Sequence, residues 1–516
     1  MNSLPSCKKT PNRGTEIRPR CPVFKDVIGQ RDLKVILMNG LDLRLLRPMS
    51  SCFQEMCLIR MLPLAICLLS FLLPNRELLA QAQLIEHSTP TRHWVVEFGG
   101  DIGSLSVHGQ HALVGAMSAD GTQTELVCLA LSDGTKKWSL SFPRLAQGFL
   151  DNRAIGLRGP PKVVGDQVLF WNNRAEIVCA DLEGTHDNKD DGIKDSTFSS
   201  NNHADIIWSL DLRNELDVFK RDIAGTGSSA PSPTIFEDSM IFATGNASTR
   251  GISRFFSNRE FVPQPTAPWV VRVSIKNGKV IWQNSDASNA ILHSAIVTPH
   301  LIHRETDEST QQLVGVSPDG AVCGINPITG ETIWSYASKN PIWTWIPPIV
   351  SKERVFVFES HLPGKLDRKR PYKILSFDKS RLFENGDRKP EWIKVDEAYS
   401  GTMVPPLVVN NILFVIASNG NLIAMDPTNG DIYWTDELEY EANDFPKLLA
   451  YGSQLAVPIG DKLLFYDAQQ EKRPICTINI GYSIKHHIPV KKLNSILVSG
   501  RNSVSLFSLK NVFPQH

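Results

Sequence analysis

An eleven-residue window recurs along this chain with Gly at its seventh position and Trp at its eleventh, and nothing else in the sequence restricts the fold as much. Ala424 to Trp434 reads Ala-Met-Asp-Pro-Thr-Asn-Gly-Asp-Ile-Tyr-Trp. Counterparts start at Gly324, Arg272 and Cys128, placing Gly330 before Trp334, Gly278 before Trp282 and Gly134 before Trp138. An extended run, a Pro/Asn/Gly turn and a second extended run predict a β-hairpin. A Gly at a fixed turn position meets a demand for positive φ. A Trp at a fixed place after it implies one large ring packed in each of several equivalent units.

Degenerate windows extend the series. One opens at Cys179-Ala180-Asp181 and closes late at Trp208, and another opens at Ser376-Phe377-Asp378 and closes at Trp392. Phe465-Tyr466-Asp467 opens one with no Trp, and Leu506-Phe507-Ser508 opens the last. Eight openings but only seven internal closings leave an orphan strand, and the run Arg92-His93-Trp94-Val95-Val96 supplies its partner. The expectation is an all-β, eight-bladed β-propeller of four-stranded blades, closed by pairing of N- and C-terminal strands. Seven tryptophans (Trp94, Trp138, Trp208, Trp282, Trp334, Trp392, Trp434) and four glycines (Gly134, Gly278, Gly330, Gly430) are the predicted docking residues. Trp334→Ala or Trp434→Ala is expected to cost about 3–5 kcal/mol through the cavity left between blades.

The balance of 54 basic and 54 acidic residues gives no sign of a nucleic-acid partner. Residues 1–60 read as a mis-assigned or disordered N-terminal extension, without periodicity. Arg60-Met61, the apolar run Leu62 to Leu73 and Ala80-Gln81-Ala82 read as a signal peptide over 61–82, with the mature chain starting at Gln83. Residues 83–516 are then the propeller. An uncleaved segment would make a single-pass anchor, the one membrane connection the sequence offers. Of nine cysteines none is adjacent to another or spaced C-x-x-C, so no zinc or redox motif is signalled. Cys128 and Cys179 occupy matching window positions and read as small buried thiols.

With a small residue at position one, Gly at seven and Trp at eleven, the windows resemble the tryptophan-docking motif of PQQ-like, quinoprotein-type propeller repeats. Ala424, Gly430 and Trp434 match it fully, whereas Arg272 departs from it. The run Ala204 to Asp211, followed by Arg213 and Glu215 to Phe219, looks like the second blade of secreted propellers of planctomycete-type bacteria. The resemblance implies the fold and a periplasmic or secreted location. PQQ-dependent dehydrogenases of similar architecture carry adjacent cysteines against the cofactor, which this chain lacks, together with a calcium and a catalytic Asp that no local motif places here. No cofactor is therefore expected, and PQQ with Ca²⁺ is the alternative.

Few residues suggest chemistry. Asp187, Asp190, Asp191 and Asp195 surround a Gly turn and offer hard oxygen ligands for Ca²⁺. Lys189 stands where such a loop wants an acceptor, and no Glu closes it, so a solvated acidic insertion is the competing reading. His293, the pair His300 and His303, and His486-His487 show no metalloenzyme spacing and read as turn or blade-edge residues. Trp343 and Trp345 lie outside the window positions, as a ligand floor or as ordinary packing. A non-catalytic exported module, binding protein or surface-polymer partners, is the functional expectation. Its alternative is an alcohol or sugar dehydrogenase with a divergent site.

Overall fold

The computed structural model describes residues 87–510 apart from 89, 144–156, 158, 173–175, 185–204, 218–231, 245–267, 286–296, 361–370, 387, 403, 439–446 and 468–473. The extension 1–60, the signal segment 61–82, the acidic loop 187–195 and His293 fall outside them, and the described residues belong to one compact unit, 77–516. Among the described residues no helix is long and apolar enough to cross a membrane.

Eight antiparallel sheets follow one another in chain order. Blade 1 spans 102–143, blade 2 162–211, blade 3 234–284 and blade 4 300–336. Blade 5 spans 349–394, blade 6 407–437, blade 7 449–479 and blade 8 486–508. Within each, successive strands pair as up-and-down neighbours, because tight turns join them. First strands of neighbouring blades touch, as in blades 3, 4 and 5 and in blades 6, 7, 8 and 1, so they surround the axis. The sheets are therefore arranged radially as an eight-bladed propeller.

Closure occurs where the sequence places it. Thr91–Glu97 pairs antiparallel with Ser503–Ser508, setting Trp94 opposite Leu506 as the outermost strand of blade 8. Backbone bonds from Phe98 N to Asn502 O and from Ile102 N to Arg501 O, both 2.7 Å, carry the join into blade 1. One detail corrects the expectation of four strands throughout. His87–Ser88 adds a fifth strand to blade 7, parallel to Cys476–Asn479, so the N-terminal segment pairs with two blades. The outermost edge of a blade has unpaired backbone groups, and this short strand satisfies some of those of blade 7.

The core is distributed among the seams. Eight apolar clusters each draw on two adjacent blades, as a sheet with two buried faces requires. At the closing seam Ala112, Val114 and Val127 of blade 1 meet Leu497, Val504 and Leu506 of blade 8. Between blades 7 and 8, Ala456 and Phe465 meet Ile496, Val498 and Phe507. Each blade is thus stabilised by its two neighbours, and opening any seam exposes a full sheet face.

Candidate functional site

The turn windows organise the seams. Gly134, Gly278, Gly330 and Gly430 have φ of 78°, 69°, 79° and 77°, and each N–H bonds back to the carbonyl four residues earlier at 2.8–2.9 Å. A side chain at such a position is strained, and the space it would enter is filled. At Gly330 a Cβ would lie 2.6 Å from Trp282 of the preceding blade. Gly134 faces Trp94, Gly278 faces Trp208 and Gly430 faces Trp392 in the same way. The indole N–H of each ring then donates to a carbonyl of the same turn. Trp94 reaches Leu131 O (3.1 Å), Trp138 Leu182 O (2.8 Å), Trp208 Ile275 O (2.6 Å), Trp282 Pro327 O (3.0 Å) and Trp392 Pro427 O (3.3 Å). A buried indole with its one donor satisfied gives apolar burial without a polar penalty.

The small first position has an equally direct cause. In four windows the Trp pairs across the strands with that residue: Cys128 with Trp138, Cys179 with Trp208, Gly324 with Trp334, Ala424 with Trp434. At Gly324 a Cβ would come within 2.0 Å of the Trp334 indole. Cys128 and Cys179 are free and buried, and burial pushes both thiols up to about 12, so they stay protonated packing groups. Arg272 breaks the rule by extending away. Its guanidinium lies over the Phe236 ring at 4.6 Å and donates to Ser239 Oγ (2.6 Å), Glu237 Oε2 (2.8 Å) and Pro327 O (3.1 Å). It thereby shares an acceptor with Trp282 and ties blade 3 to blade 4.

Two tryptophans are held differently. Trp334 donates to Gln312 Oε1 (2.9 Å) in its own blade, since the next blade turns through a 3₁₀ segment, Arg381–Phe383, in place of a Gly turn. Trp434 is half-buried and stacks on Tyr466 at 6.1 Å, and the Tyr466 hydroxyl donates to Asp436 (2.9 Å). Gly184, one residue early in the degenerate second window, faces Trp138, whose ring a Cβ there would meet at 2.6 Å. That early Gly was the missed signal.

By the alternation of strands, the connections between blades open at one end of the ring and the Gly turns lie at the other. At the first end the innermost strands of blades 2 to 7 are entered through proline-bearing sequence, notably Thr344-Trp345-Ile346-Pro347-Pro348 and Thr402-Met403-Val404-Pro405-Pro406. A residue without an N–H suits a strand whose free edge faces the axis. Thr344 Oγ1 donates to Ile346 O (3.0 Å) and Thr402 Oγ1 to Val404 O (2.9 Å), the same local lock in two blades. Trp345 is buried with Val297 beside half-buried Trp343, and its backbone N–H donates to Ser360 Oγ (2.8 Å).

The histidines lie on innermost strands, not at turns: His300 and His303 in blade 4, His486 and His487 at the start of blade 8. Burial, then the neighbouring His303, lowers His300. Burial, then Lys447, brings His486 to about 4 and His487 to about 3. Since the unfolded chain binds these protons near pH 6.5 and the folded ring does not, stability falls as pH drops from 6.5 toward 3–4. At pH 5 the two groups together are expected to remove roughly 3–4 kcal/mol relative to pH 7.5. Urea unfolding at the two pH values measures this, and His487→Leu should remove about half of the slope. Carboxylates lowered by turn hydrogen bonds, such as Asp120 at about 2, act only below pH 4 and so fall outside that window.

A ring of antiparallel sheets, with an indole of one blade seated on the turn of the next, defines the class: an eight-bladed, tryptophan-docked β-propeller. Within that class the stretch that a family model matches carries PQQ-like repeats. The family model described as outer membrane protein assembly factor BamB matches residues 255–436 and 318–471, which is under half of the chain. Among solved structures it is similar to Saccharomyces cerevisiae Sqt1, with TM-score 0.52, 10% identity and coverage of 82% of this chain and 99% of that one. It is also similar to BamB from Moraxella catarrhalis, with TM-score 0.49, 12% identity and coverage of 83% and 99%. For quinohemoprotein alcohol dehydrogenase from Comamonas testosteroni the values are 0.44, 13%, 80% and 68%. Identities this low speak to fold alone. No curated protein matches the sequence.

Proposed function

We propose that this propeller is an exported, non-catalytic binding or scaffold module whose partner is a protein or a cell-surface polymer. The observation that carries the reading is an arc of apolar side chains along the outermost strands of blades 3 to 6, with Val395 just past the end of its strand. Ile281, Ile333, Ile393, Val395 and Tyr433 each keep 46–54% of their surface open. Ile281, Ile333 and Tyr433 directly precede window tryptophans, so strand alternation turns them to the opposite sheet face from the docked ring. Exposed apolar side chains repeated at the rim of consecutive blades offer an extended partner a row of contacts. The arc lies within the stretch that matches an assembly-factor family, which supports a protein partner over a small substrate. Export through 61–82 accords with this, and N-terminal sequencing of the mature protein is expected to begin at Gln83.

The test has two arms. A photo-reactive residue placed at Ile333 in the native host should give a discrete adduct, and the same residue at exposed Thr122 in blade 1 should give none. In the second arm, protein supplied with PQQ and Ca²⁺ is expected to show neither dye-linked alcohol or glucose oxidation nor quinone absorbance after desalting. Stoichiometric retention of PQQ with chelator-sensitive activity would replace this reading with the dehydrogenase.

A further inference from the structure

The docked indoles share one kind of acceptor, the carbonyl at the fourth window position of the following blade: Leu131, Leu182, Ile275, Pro327 and Pro427. In blade 8 that position is Leu509. Its N–H bonds to Asn494 O (2.9 Å) in the turn between the first two strands, as Leu131 N bonds to Gln110 O (2.8 Å) and Ile275 N to Asp238 O (3.0 Å). Blade 8 therefore carries the same backbone acceptor in the same setting. Blade 7 sends no indole to it, since the chain holds no Trp after Trp434.

The blade 7 window also exchanges the sizes of the docking pair. Its first position is Phe465, fully buried, and the residue in register with it is Cys476. Phe465 packs edge-on against Tyr451 at 6.1 Å, and the Tyr451 hydroxyl donates to Asn494 Oδ1 (2.5 Å) across the seam. The large ring thus belongs to the third strand, and the fourth brings only a thiol where other seams bring an indole. On the blade 8 side lies a cavity of about 480 Å³ lined by Lys492, Leu493, Asn494 and Lys510. Lys492 to Asn494 form the turn that Leu509 bonds, and Lys510 directly follows Leu509, so the cavity opens at the acceptor's own turn. Leu493 is 39% exposed, an apolar wall between two ammonium groups. Lys492 and Lys510 make no ion pair among the described residues.

We propose that this cavity binds a small aromatic carboxylate of the indole type. Its ring N–H donates to Leu509 O, as the indoles of the other seams do to the matching carbonyls, and its carboxylate pairs with Lys492 and Lys510. Leu493 supplies apolar surface for the ring, and the volume suits a small molecule. A backbone acceptor fixes orientation and the two charges select an acid over a neutral ring. This inference is independent of the partner surface on blades 3 to 6.

Isothermal titration of the full chain with N-acetyltryptophan tests the site, with N-acetyltryptophanamide (no carboxylate) and N-acetylleucine (no indole) as controls. The acid is expected to bind with Kd of about 0.1–1 mM, as a ligand of its size allows, and each control about tenfold more weakly. Replacing both exposed lysines, Lys492→Met with Lys510→Met, should bring the acid down to the affinity of the amide. Phe465→Ala with Cys476→Trp returns the small residue and the indole of the other windows. That pair should abolish binding and unfold at a higher urea concentration than Phe465→Ala alone. Phe513 is the only Phe, Tyr or Trp beyond Lys510, and Phe513→Ala should leave the affinity unchanged. Tighter binding in that variant would mean that the chain's own end competes for the cavity, and would overturn the proposal. So would equal affinities for the acid and the amide, or an affinity for the acid that survives loss of both lysines.

Discussion

A chain lacking residues 87–97 is expected to lose its cooperative unfolding transition under conditions where the full propeller is folded. The deletion removes the outermost strand of blade 8, with its six register positions against Ser503–Ser508, and the short strand on blade 7. It also takes Trp94 off the Gly134 turn and leaves Leu131 O without its indole donor. Losing the half-buried ring alone costs about 1–3 kcal/mol, the strand pairing and its packing are lost with it, and a native protein holds only about 5–15 kcal/mol in reserve. In an open array that loss would be confined to one terminus. In a closed ring the same strand joins the two ends of the chain, so seven intact seams must then hold without closure. Circular dichroism in urea measures the loss. Adding a peptide of residues 87–97 in trans should restore the transition in part, since the pairing needs no covalent link. A truncated protein with the full-length midpoint would show that the other seams suffice.

Much of this was legible in the sequence because a docked ring leaves a rigid signature. The turn must be left-handed at one residue, so Gly recurs; the indole lies over its cross-strand partner, so that partner is small. At Gly324 the contact leaves no room for even a methyl group. Blade count and closure then follow from the phase of the windows. Other features have no such signature. Two residues, His87–Ser88, are too few to carry a periodicity, so the fifth strand of blade 7 could not be anticipated. Arg272 read as a departure because the position rule concerns bulk near the indole, and a long flexible side chain can satisfy it by leaving. His487 reads in sequence like any other histidine. Its interest comes from a seam formed by residues distant in the chain, and burial of that kind has no local pattern. The acidic loop around Asp187 and the signal segment lie outside the described residues, and their readings remain expectations.

The seven tryptophans share one sequence rule but not one environment, and that division gives the sharpest test of the seams. Trp138 is 1% exposed, packs on the Gly184 turn and donates to Leu182 O across 44 residues of chain. Around it lie Leu140, Phe142, Phe170 and Val178 from two blades, a close-packed setting with little freedom to collapse. Trp138→Ala is therefore expected to cost about 4–5 kcal/mol, the upper part of the range for losing a buried aromatic ring. Trp138→Phe keeps most of the apolar volume but orphans the Leu182 carbonyl, and should cost about 1–3 kcal/mol. Trp434 has a full window before it and yet no Gly turn to receive it; it stays half-buried against Tyr466. Water can occupy part of the space it vacates, so Trp434→Ala should cost only about 1–2 kcal/mol, below what the repeat pattern alone suggests. Because nearest neighbours carry the coupling, Trp138→Ala and Trp282→Ala, in separate seams, should add to within about 0.5 kcal/mol. Urea midpoints for the four single variants and this pair measure the series. Equal costs at Trp138 and Trp434 would mean that the turn beneath the indole contributes nothing, and that stacking on a neighbouring ring holds a seam just as well.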